Sequence, residues 1–361
     1  MKIVFLNHFI SGGGAEKVTM LLSGKMVERG YEVTLMTNLF KPFAYDFDER
    51  VDRRPLFRNK KEWSSHFSLF YMIRNVRKML KDERPDVIIG VLPLMNLVAV
   101  IAAIGTGVKV IVSDHTSFDR PLNPHIRFIR SFVYRFADAV TVLTQVDYDF
   151  LGKRLPRKVV MPNPLAYPCV EMLDGPRRKN ILAVGRLDVW KVKGFDLLIE
   201  AWAQIADRYP EWILEIAGDG TEKSKNELQE IAKNNHVENR IRFLGFRKDI
   251  DTVMRESSIF VLSSRIEGFG MVLIEAMSQG CACISFDDGG RQSEIIRSDE
   301  EGIIIKEHNT QELAKKIEFL IKNISRRAEI ASNGVKRACQ YDLRPISNKW
   351  ISLIEKITSN Q

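Results

Sequence analysis

Glu267-Gly268-Phe269-Gly270-Met271-Val272-Leu273-Ile274-Glu275-Ala276-Met277 is the stretch whose reading decides the fold. The apolar run Ile259 to Leu262, closed by Ser263 and Ser264, precedes it; Gly280 and the β-rich run Cys281 to Phe286 follow. The order is strand, glycine loop, helix, stop, strand, which is one βαβ unit with its loop at the carboxyl end of a strand. Ligands of open α/β sheets bind at that end, where helix N-termini aim backbone N–H groups at anions. Gly268 and Gly270 let the backbone approach a ligand with no Cβ in the way. Glu267 sits in the loop, and Glu275 lies about one turn inside the helix on its period of roughly 3.6 residues. A carboxylate there can accept two hydrogen bonds from a vicinal diol, the device by which dinucleotide folds hold a ribose. A lone Glu on such a helix is ordinarily solvated; here spacing, glycines and strand context agree on a site.

The 361 residues exceed one typical α/β core and suit two. Hydrophobic and charged contents of 45% and 28% are those of an ordinary globular protein. Cys169, Cys281, Cys283 and Cys339 form no CxxC pair, and Cys281-x-Cys283 lies in an apolar strand. The cysteines therefore read as buried thiols of a reducing compartment rather than zinc ligands or a disulfide. The opening run Met1 to His8 is too short for a signal peptide and reads as a first strand.

Charge is uneven along the chain. Residues 1–165 hold 25 Lys and Arg against 16 Asp and Glu, a net of +9, whereas residues 166–361 net −1. A basic first half beside a neutral second half predicts that the first half meets something anionic. From Val87 to Val108 no residue is charged, long enough to raise a transmembrane question at about 18–20 apolar residues. Pro93, Asn96 and Gly105-Thr106-Gly107 interrupt it, so strand 87–91, helix 94–104 and strand 108–113 account for it better.

Strand Lys2–Leu6 runs through Ser11-Gly12-Gly13-Gly14-Ala15-Glu16 into a helix from about Ala15 to Arg29, then strand Glu32–Thr37. This is a βαβ unit whose glycine loop opens a helix. The loop is not GxGxxG, and no acidic residue ends the second strand, so a dehydrogenase is disfavoured. Between Arg50 and Arg84 the chain is basic and aromatic. Phe67, Phe70 and Tyr71, then Arg74, Arg77, Lys78 and Lys81, fall at helical spacing, as a helix on an anionic membrane surface would place them. A solvated helix face explains the pattern equally well; nucleic acid is a third reading that no recognition motif accompanies. His115 closes the strand Lys109–Ser113, well placed to touch a ligand. A second basic and aromatic stretch, Arg120 to Arg135, holds Arg127, Phe128, Arg130, Phe132, Tyr134 and Arg135. Strands Ala139–Leu143 and Val159–Met161 complete the first domain, and the Pro-rich residues 162–179 read as a linker.

The second domain opens with strand Asn180–Val184 and the loop Gly185 to Asp196, which carries Arg186, Lys191, Lys193 and Gly194 before a helix Phe195–Arg208. Cations there can neutralise a diphosphate while backbone amides complete its coordination. Strands Trp212–Ala217 and Ile241–Leu244 end in Gly218-Asp219-Gly220 and Gly245-Phe246. Asp287-Asp288 could be taken for a metal-binding pair. Glu312–Lys322 and Arg326–Ala338 read as helices, and the tail Pro345–Lys356 puts Ile346, Trp350, Ile351 and Ile354 on one face.

Taken together these motifs resemble the family 4 glycosyltransferases, retaining enzymes of the GT-B fold, over the whole chain from Gly12 onward. The resemblance implies two Rossmann-like domains facing a cleft: 1–165 with a closing helix at about 345–361 for the acceptor, and 176–344 for the nucleotide-sugar donor. Glu267 and Glu275 match the E-x7-E spacing, implying that Glu267 faces the donor sugar and Glu275 binds the ribose, with Gly268, Phe269, Gly270, Met271 and Val272 beside the donor. Gly13 and Gly14 match the family's Gly-Gly-Ala-Glu loop, implying that they face the donor phosphates and the acceptor. His115 matches the family's His near the reaction centre. Arg186 and Lys193 match the diphosphate clamp, with Lys191 the alternative to Lys193, and Gly218, Gly245 and Phe246 resemble loops around the base. Where many relatives have a Pro-containing loop this chain has Gly290-Arg291-Gln292.

The implied reaction moves a sugar, from a UDP-sugar in the first instance, with retention and with neither metal nor other cofactor. The implied acceptor is a polyprenyl-diphosphate-linked glycan of bacterial surface polysaccharide synthesis, met by a peripheral enzyme at the cytoplasmic face of the membrane, with no nucleic acid involved. The rivals are a nucleotide-sugar epimerase of the same fold and a catalytically silent subunit that binds nucleotide sugar. Intact Glu267, Glu275, Arg186 and Lys193 argue against the second.

Overall fold

Continuous apolar runs such as Val-Ile-Ile-Gly-Val and Ala-Cys-Ile-Ser-Phe, buried along their whole length, make strands covered on both faces, as parallel sheets require. The computed structural model describes residues 1–359 apart from 11, 42, 44–46, 120–122, 156 and 172–174. Ser11 and Arg120, which open two of the expected stretches, lie outside the described residues, as does part of the expected linker. The chain forms two units, Met1–Ala166 with Leu343–Gln361, and Tyr167–Asp342.

The first unit has seven parallel strands: β1 (Lys2–Leu6), β2 (Glu32–Thr37), β3 (Asp52–Pro55), β4 (Val87–Val91), β5 (Lys109–Ser113), β6 (Ala139–Val142) and β7 (Lys158–Val160). Their order is β3-β2-β1-β4-β5-β6-β7, with Leu6 opposite both Met36 and Gly90. The order reverses between β1 and β4, which makes that gap the topological switch point. The last helix, Leu343–Thr358, buries Ile346, Trp350, Ile351 and Ile354 and packs on the first helix, Gly14–Glu28. It belongs to this first unit although it closes the chain.

The second unit has six parallel strands: β8 (Arg178–Val184), β9 (Ile213–Ala217), β10 (Ile241–Gly245), β11 (Ser257–Leu262), β12 (Ala282–Phe286) and β13 (Ile303–Ile305). The order β10-β9-β8-β11-β12-β13 reverses between β8 and β11. The decisive stretch therefore sits on the strand beside the switch point.

Four differences from the sequence reading have local causes. Strand β3 is a fully exposed edge of three charged residues and a proline, and β13 is three isoleucines long; neither has the length or alternation that marks a strand. The expected helix 195–208 ends at Ala203 and resumes only as the 3-10 turn Ala206–Arg208. Cys169 and Cys339 are not free thiols: their Cα atoms lie 6.0 Å apart and they form a disulfide across 170 residues of sequence. That is within ordinary disulfide reach, a proximity only the tertiary fold creates. Cys281 and Cys283 are free and buried, as expected, and burial pushes the Cys281 thiol up to about 12. The uncharged stretch 87–108 resolves into β4, the helix Pro93–Ala103 and the approach to β5. Among the described residues no helix is long and apolar enough to cross a membrane.

Candidate active site

The second unit's switch point brings two loops into contact. A Cβ on Gly194, whose φ is +64°, would lie 1.8 Å from the Ser263 carbonyl oxygen, so glycine is what lets the loop after β8 touch the end of β11. Side chains then bolt the loops together. The Ser263 hydroxyl donates to the Lys193 carbonyl (3.0 Å), and Arg265 donates to the Lys191 carbonyl (2.7 Å) while pairing with both oxygens of Asp196 at 2.7 Å.

Within this frame Lys193 Nζ donates to Glu267 Oε1 at 2.6 Å, and the Ser264 hydroxyl donates to the same oxygen at 2.8 Å. The Glu267 amide donates to Asp288 Oδ2 at 2.8 Å. Lys193 and Glu267 are 22% and 13% exposed, so the pair is sheltered but reachable. Lys193 reaches the carboxylate, whereas Lys191 is exposed with its ammonium 5.1 Å from the centre of the Trp190 ring. Arg186 is exposed at the start of the same loop. Asp188 beside it is held below the usual carboxylate range, first by the Thr221 amide, then by the Thr221 and Ser224 hydroxyls, with Arg186 contributing less.

The neighbouring strand ends are tied to this loop by backbone. Gly185 N–H donates to the Ala217 carbonyl, Leu187 N–H to Asp219, and Gly218 N–H to Gly245. A Cβ on Gly218 would lie 1.9 Å from the Gly185 carbonyl oxygen. Gly218 and Gly245 thus stand beside the Arg186 loop, and the Phe246 ring after them is exposed.

Helix Met271–Ser278 starts at Gly270, whose φ is +95°. Met271 and Val272 are half-buried in its first turn. Phe269 is buried with its ring edge-on to Tyr341 at 5.5 Å, so that side chain serves packing and Phe269 presents backbone alone. Glu275 is 4% exposed, which rules out the solvated helix face that a lone glutamate would ordinarily occupy. A carboxylate buried this far is kept for the partners it binds.

Sequence reasoning missed Asp288 and Ser264, which set the position of Glu267. Asp287 caps the helix Arg291–Ile295, accepting from Gln292 N, Ser293 N and the Ser293 hydroxyl. Both acids are thereby engaged locally, and no group of three or more potential metal ligands occurs among the described residues.

In the first unit the glycine loop is already occupied. Glu16 Oε2 accepts from the Gly12 and Gly13 amides at 2.9 and 3.1 Å, which engages those two N–H groups within the loop; Gly14 begins the helix. His115 lies half-buried at the end of β5 with Nε2 3.0 Å from the Ser113 hydroxyl, and its Nδ1 has no hydrogen-bond partner among the described residues. Burial lowers its pKa to about 4 against the opposing pull of Asp114 and Asn163, leaving a neutral imidazole at pH 7. Behind it Asp114 accepts from Arg130 Nε (2.8 Å), Arg130 Nη2 (3.0 Å) and Tyr134 OH (2.9 Å), all three residues buried.

Parallel sheets, a switch-point loop holding a cation against a carboxylate, and a buried glutamate eight residues on are now in place. Residues 12–165 match Glycosyltransferase Family 4, and residues 174–337 match Glycosyl transferases group 1. The chain belongs to the family 4 glycosyltransferases. It is 26% identical to an α-1,4-N-acetyl-D-galactosaminyltransferase of Campylobacter jejuni whose named substrate is a glycan on PP-undecaprenol, across 99% of each chain. It is 28% identical to the amylovoran biosynthesis glycosyltransferase AmsD of Erwinia amylovora, across 98% of this chain and 99% of that one. Anabaena HepE, solved with UDP, superposes with a TM-score of 0.81 at 21% identity, covering 99% of this chain and all of HepE. That likeness makes the fold GT-B. The chain is thus a glycosyltransferase of the GT-B fold.

Proposed function

We propose that this glycosyltransferase moves a sugar from a UDP-sugar to a polyprenyl-diphosphate-linked glycan, with retention of configuration, in bacterial surface polysaccharide synthesis. The observation that carries the reading is the 2.6 Å pair of Lys193 and Glu267 beside exposed Arg186 at the switch point. A diphosphate arriving there draws Lys193 toward itself and joins it with Arg186, so two cations neutralise the leaving group, work a divalent metal does elsewhere. Glu267 Oε1 is then released to accept from a sugar hydroxyl, still held by Ser264 and, through its amide, by Asp288. Glu275 takes the ribose diol. The acceptor hydroxyl attacks from the face the diphosphate leaves, and the leaving phosphate oxygen receives its proton. The anomeric bond to diphosphate breaks as the new glycosidic bond forms on the same face. The neutral His115 imidazole donates or accepts a hydrogen bond near the sugar without adding charge.

The lipid-linked acceptor is supported by the named substrate of the Campylobacter relative, and the donor nucleotide by the UDP in the HepE structure. The first unit's charge supports a peripheral site on an anionic cytoplasmic leaflet. Incubation with UDP-, GDP- and ADP-sugars, with and without a diphosphate-linked acceptor, tests the reading. UDP release that requires acceptor, an α product from an α donor by NMR, and activity that survives EDTA are expected. A sugar epimerised in the absence of acceptor makes the enzyme an epimerase and overturns it.

A further inference from the structure

Among the described residues, most exposed large apolar side chains lie on one side of the first unit's sheet. Three helical segments pack side by side there: Ser68–Glu83, Pro93–Ala103, and Pro124–Ser131 with its 3-10 extension Val133–Phe136. They connect β3 to β4, β4 to β5 and β5 to β6, which run in one direction across the sheet. Right-handed crossovers put all three on the same side.

The third segment is apolar on both sides. Ile129, Val133 and Tyr134 face the core, whereas Phe128, Phe132 and Phe136 face out, each more than half exposed. These three rings form a ladder, with centroids 5.4 Å apart at both steps. Phe67 and Phe70 project from the start of the first segment, 71% and 61% exposed. A contiguous ridge of rings turned to water marks a contact surface.

Charge identifies the occupant. Residues 63–81, 93–104 and 123–137 contain no Asp or Glu at all. The cations there sort into two kinds once the fold is known. Arg130 pairs with Asp114, Arg74 with Glu62 at 2.6 Å, and Arg77 donates to the carbonyls of Ala102 and Ile104; these hold the fold together. Lys78, Lys81, Arg127 and Arg135 remain exposed. Rings, cations and no acid on one face fit the headgroup boundary of an anionic bilayer, where rings enter the acyl region and cations meet phosphate. An acidic protein partner is the alternative occupant, since it too would use rings and cations, and flotation with vesicles separates the two.

We infer that the Phe128–Phe132–Phe136 ladder, with Phe67 and Phe70, is the element that inserts into an anionic bilayer, and that Lys78, Lys81, Arg127 and Arg135 supply its charge. The inference deepens the membrane setting proposed above and does not depend on the donor.

Flotation of the full-length protein with vesicles of phosphatidylcholine alone, or with one-third phosphatidylglycerol, is the test. Wild type floats with the anionic vesicles and is released by salt. The triple variant Phe128→Ser, Phe132→Ser, Phe136→Ser loses at least about a hundredfold in partition. Each of Lys78→Gln, Lys81→Gln, Arg127→Gln and Arg135→Gln weakens it about fivefold, and Arg77→Gln does not act through charge. Unchanged UDP affinity and thermal midpoint establish that the triple variant is folded. A folded triple variant that floats like wild type, or wild type that floats with neither vesicle, overturns the inference. So does a wild-type dimer by light scattering that becomes monomeric in the triple variant with no change in flotation, since the ridge is then a self-association surface. Turnover on a short-chain, water-soluble acceptor is measured in parallel. Transfer without flotation sinks this inference and the membrane setting but leaves the proposed transfer standing, and flotation without transfer sinks the proposed transfer alone.

Discussion

Two ion pairs at the carboxyl ends of two parallel sheets have opposite characters. In the first unit Arg130 and Asp114 are 5% and 0% exposed, joined by two hydrogen bonds, with Tyr134 and Thr116 filling the remaining positions. In the second, Lys193 and Glu267 meet through a single contact at 22% and 13% exposure. A buried, saturated pair resists any change, because separating it strands a charge in a medium that cannot solvate it. A sheltered pair with one contact can trade partners when an anion arrives. The sequence shows an Arg and a Lys, each far from its acid; what separates scaffold from site is how many hydrogen bonds each acid can still accept.

The largest expected effect follows from the saturated pair. Asp114→Asn should destabilise the protein by about 3–5 kcal/mol, since it leaves Arg130 buried without its counter-charge. Calorimetry should show the loss while the affinity of the folded protein for UDP stays unchanged. Full stability in the variant would erase the distinction between the pairs.

Next comes the open pair. Lys193→Ala should leave stability within about 1 kcal/mol of wild type, yet cut turnover by roughly 10²–10³, the usual cost of one electrostatic donor to a transition state. Arg186→Ala should behave alike, with kcat falling by more than KM rises. Lys191→Ala should be mild. Steady-state kinetics would expose a mistaken assignment if Lys191 proved the more damaging position.

His115 sharpens the comparison through pH. Its pKa is about 4 in the fold against an ordinary 6.5, so between those values the unfolded chain holds a proton that the folded chain does not. Stability therefore falls as pH drops from about 6.5 to 4, by at most about 3 kcal/mol from this group. His115→Asn should flatten denaturant midpoints across that window, and an identical slope in wild type and variant would show that the ring titrates normally.

The smallest effect is at Glu275. Its replacement by Ala should cost about 1–3 kcal/mol of UDP affinity, the worth of a buried hydrogen-bond partner left unmatched. Titration calorimetry with UDP reads this directly, and unchanged affinity in a folded variant removes Glu275 from the site.

The sheets were legible because parallel strands are buried on both faces and spell themselves as apolar runs. The donor loop was legible because glycine, carboxylate and helix start fall at fixed offsets. What escaped depends on which way a helix turns. Helical spacing placed Arg74 and Arg77 on a basic face, and Arg130 and Tyr134 stood in a second basic and aromatic stretch, but only packing reveals that all four point into ion pairs, carbonyl contacts or core. Glu16 was read as part of a phosphate loop, yet it reaches back to cap its own helix, a contact the Gly-Gly-Ala-Glu sequence permits and does not announce. The Asp288 hold on the Glu267 amide spans 21 residues, with a helix and a strand between them, beyond any local pattern.

The bond between Cys169 and Cys339 gives the second unit a ring topology. Tyr167 and Pro168 precede the ring and Gln340 to Asp342 follow it, so nearly the whole unit is a covalent circle, inserted in the sequence of the first. A protease that cuts once inside the circle therefore releases nothing. On a denaturing gel the nicked chain keeps the mass of the intact one until a reductant is added, and only then separates into two fragments.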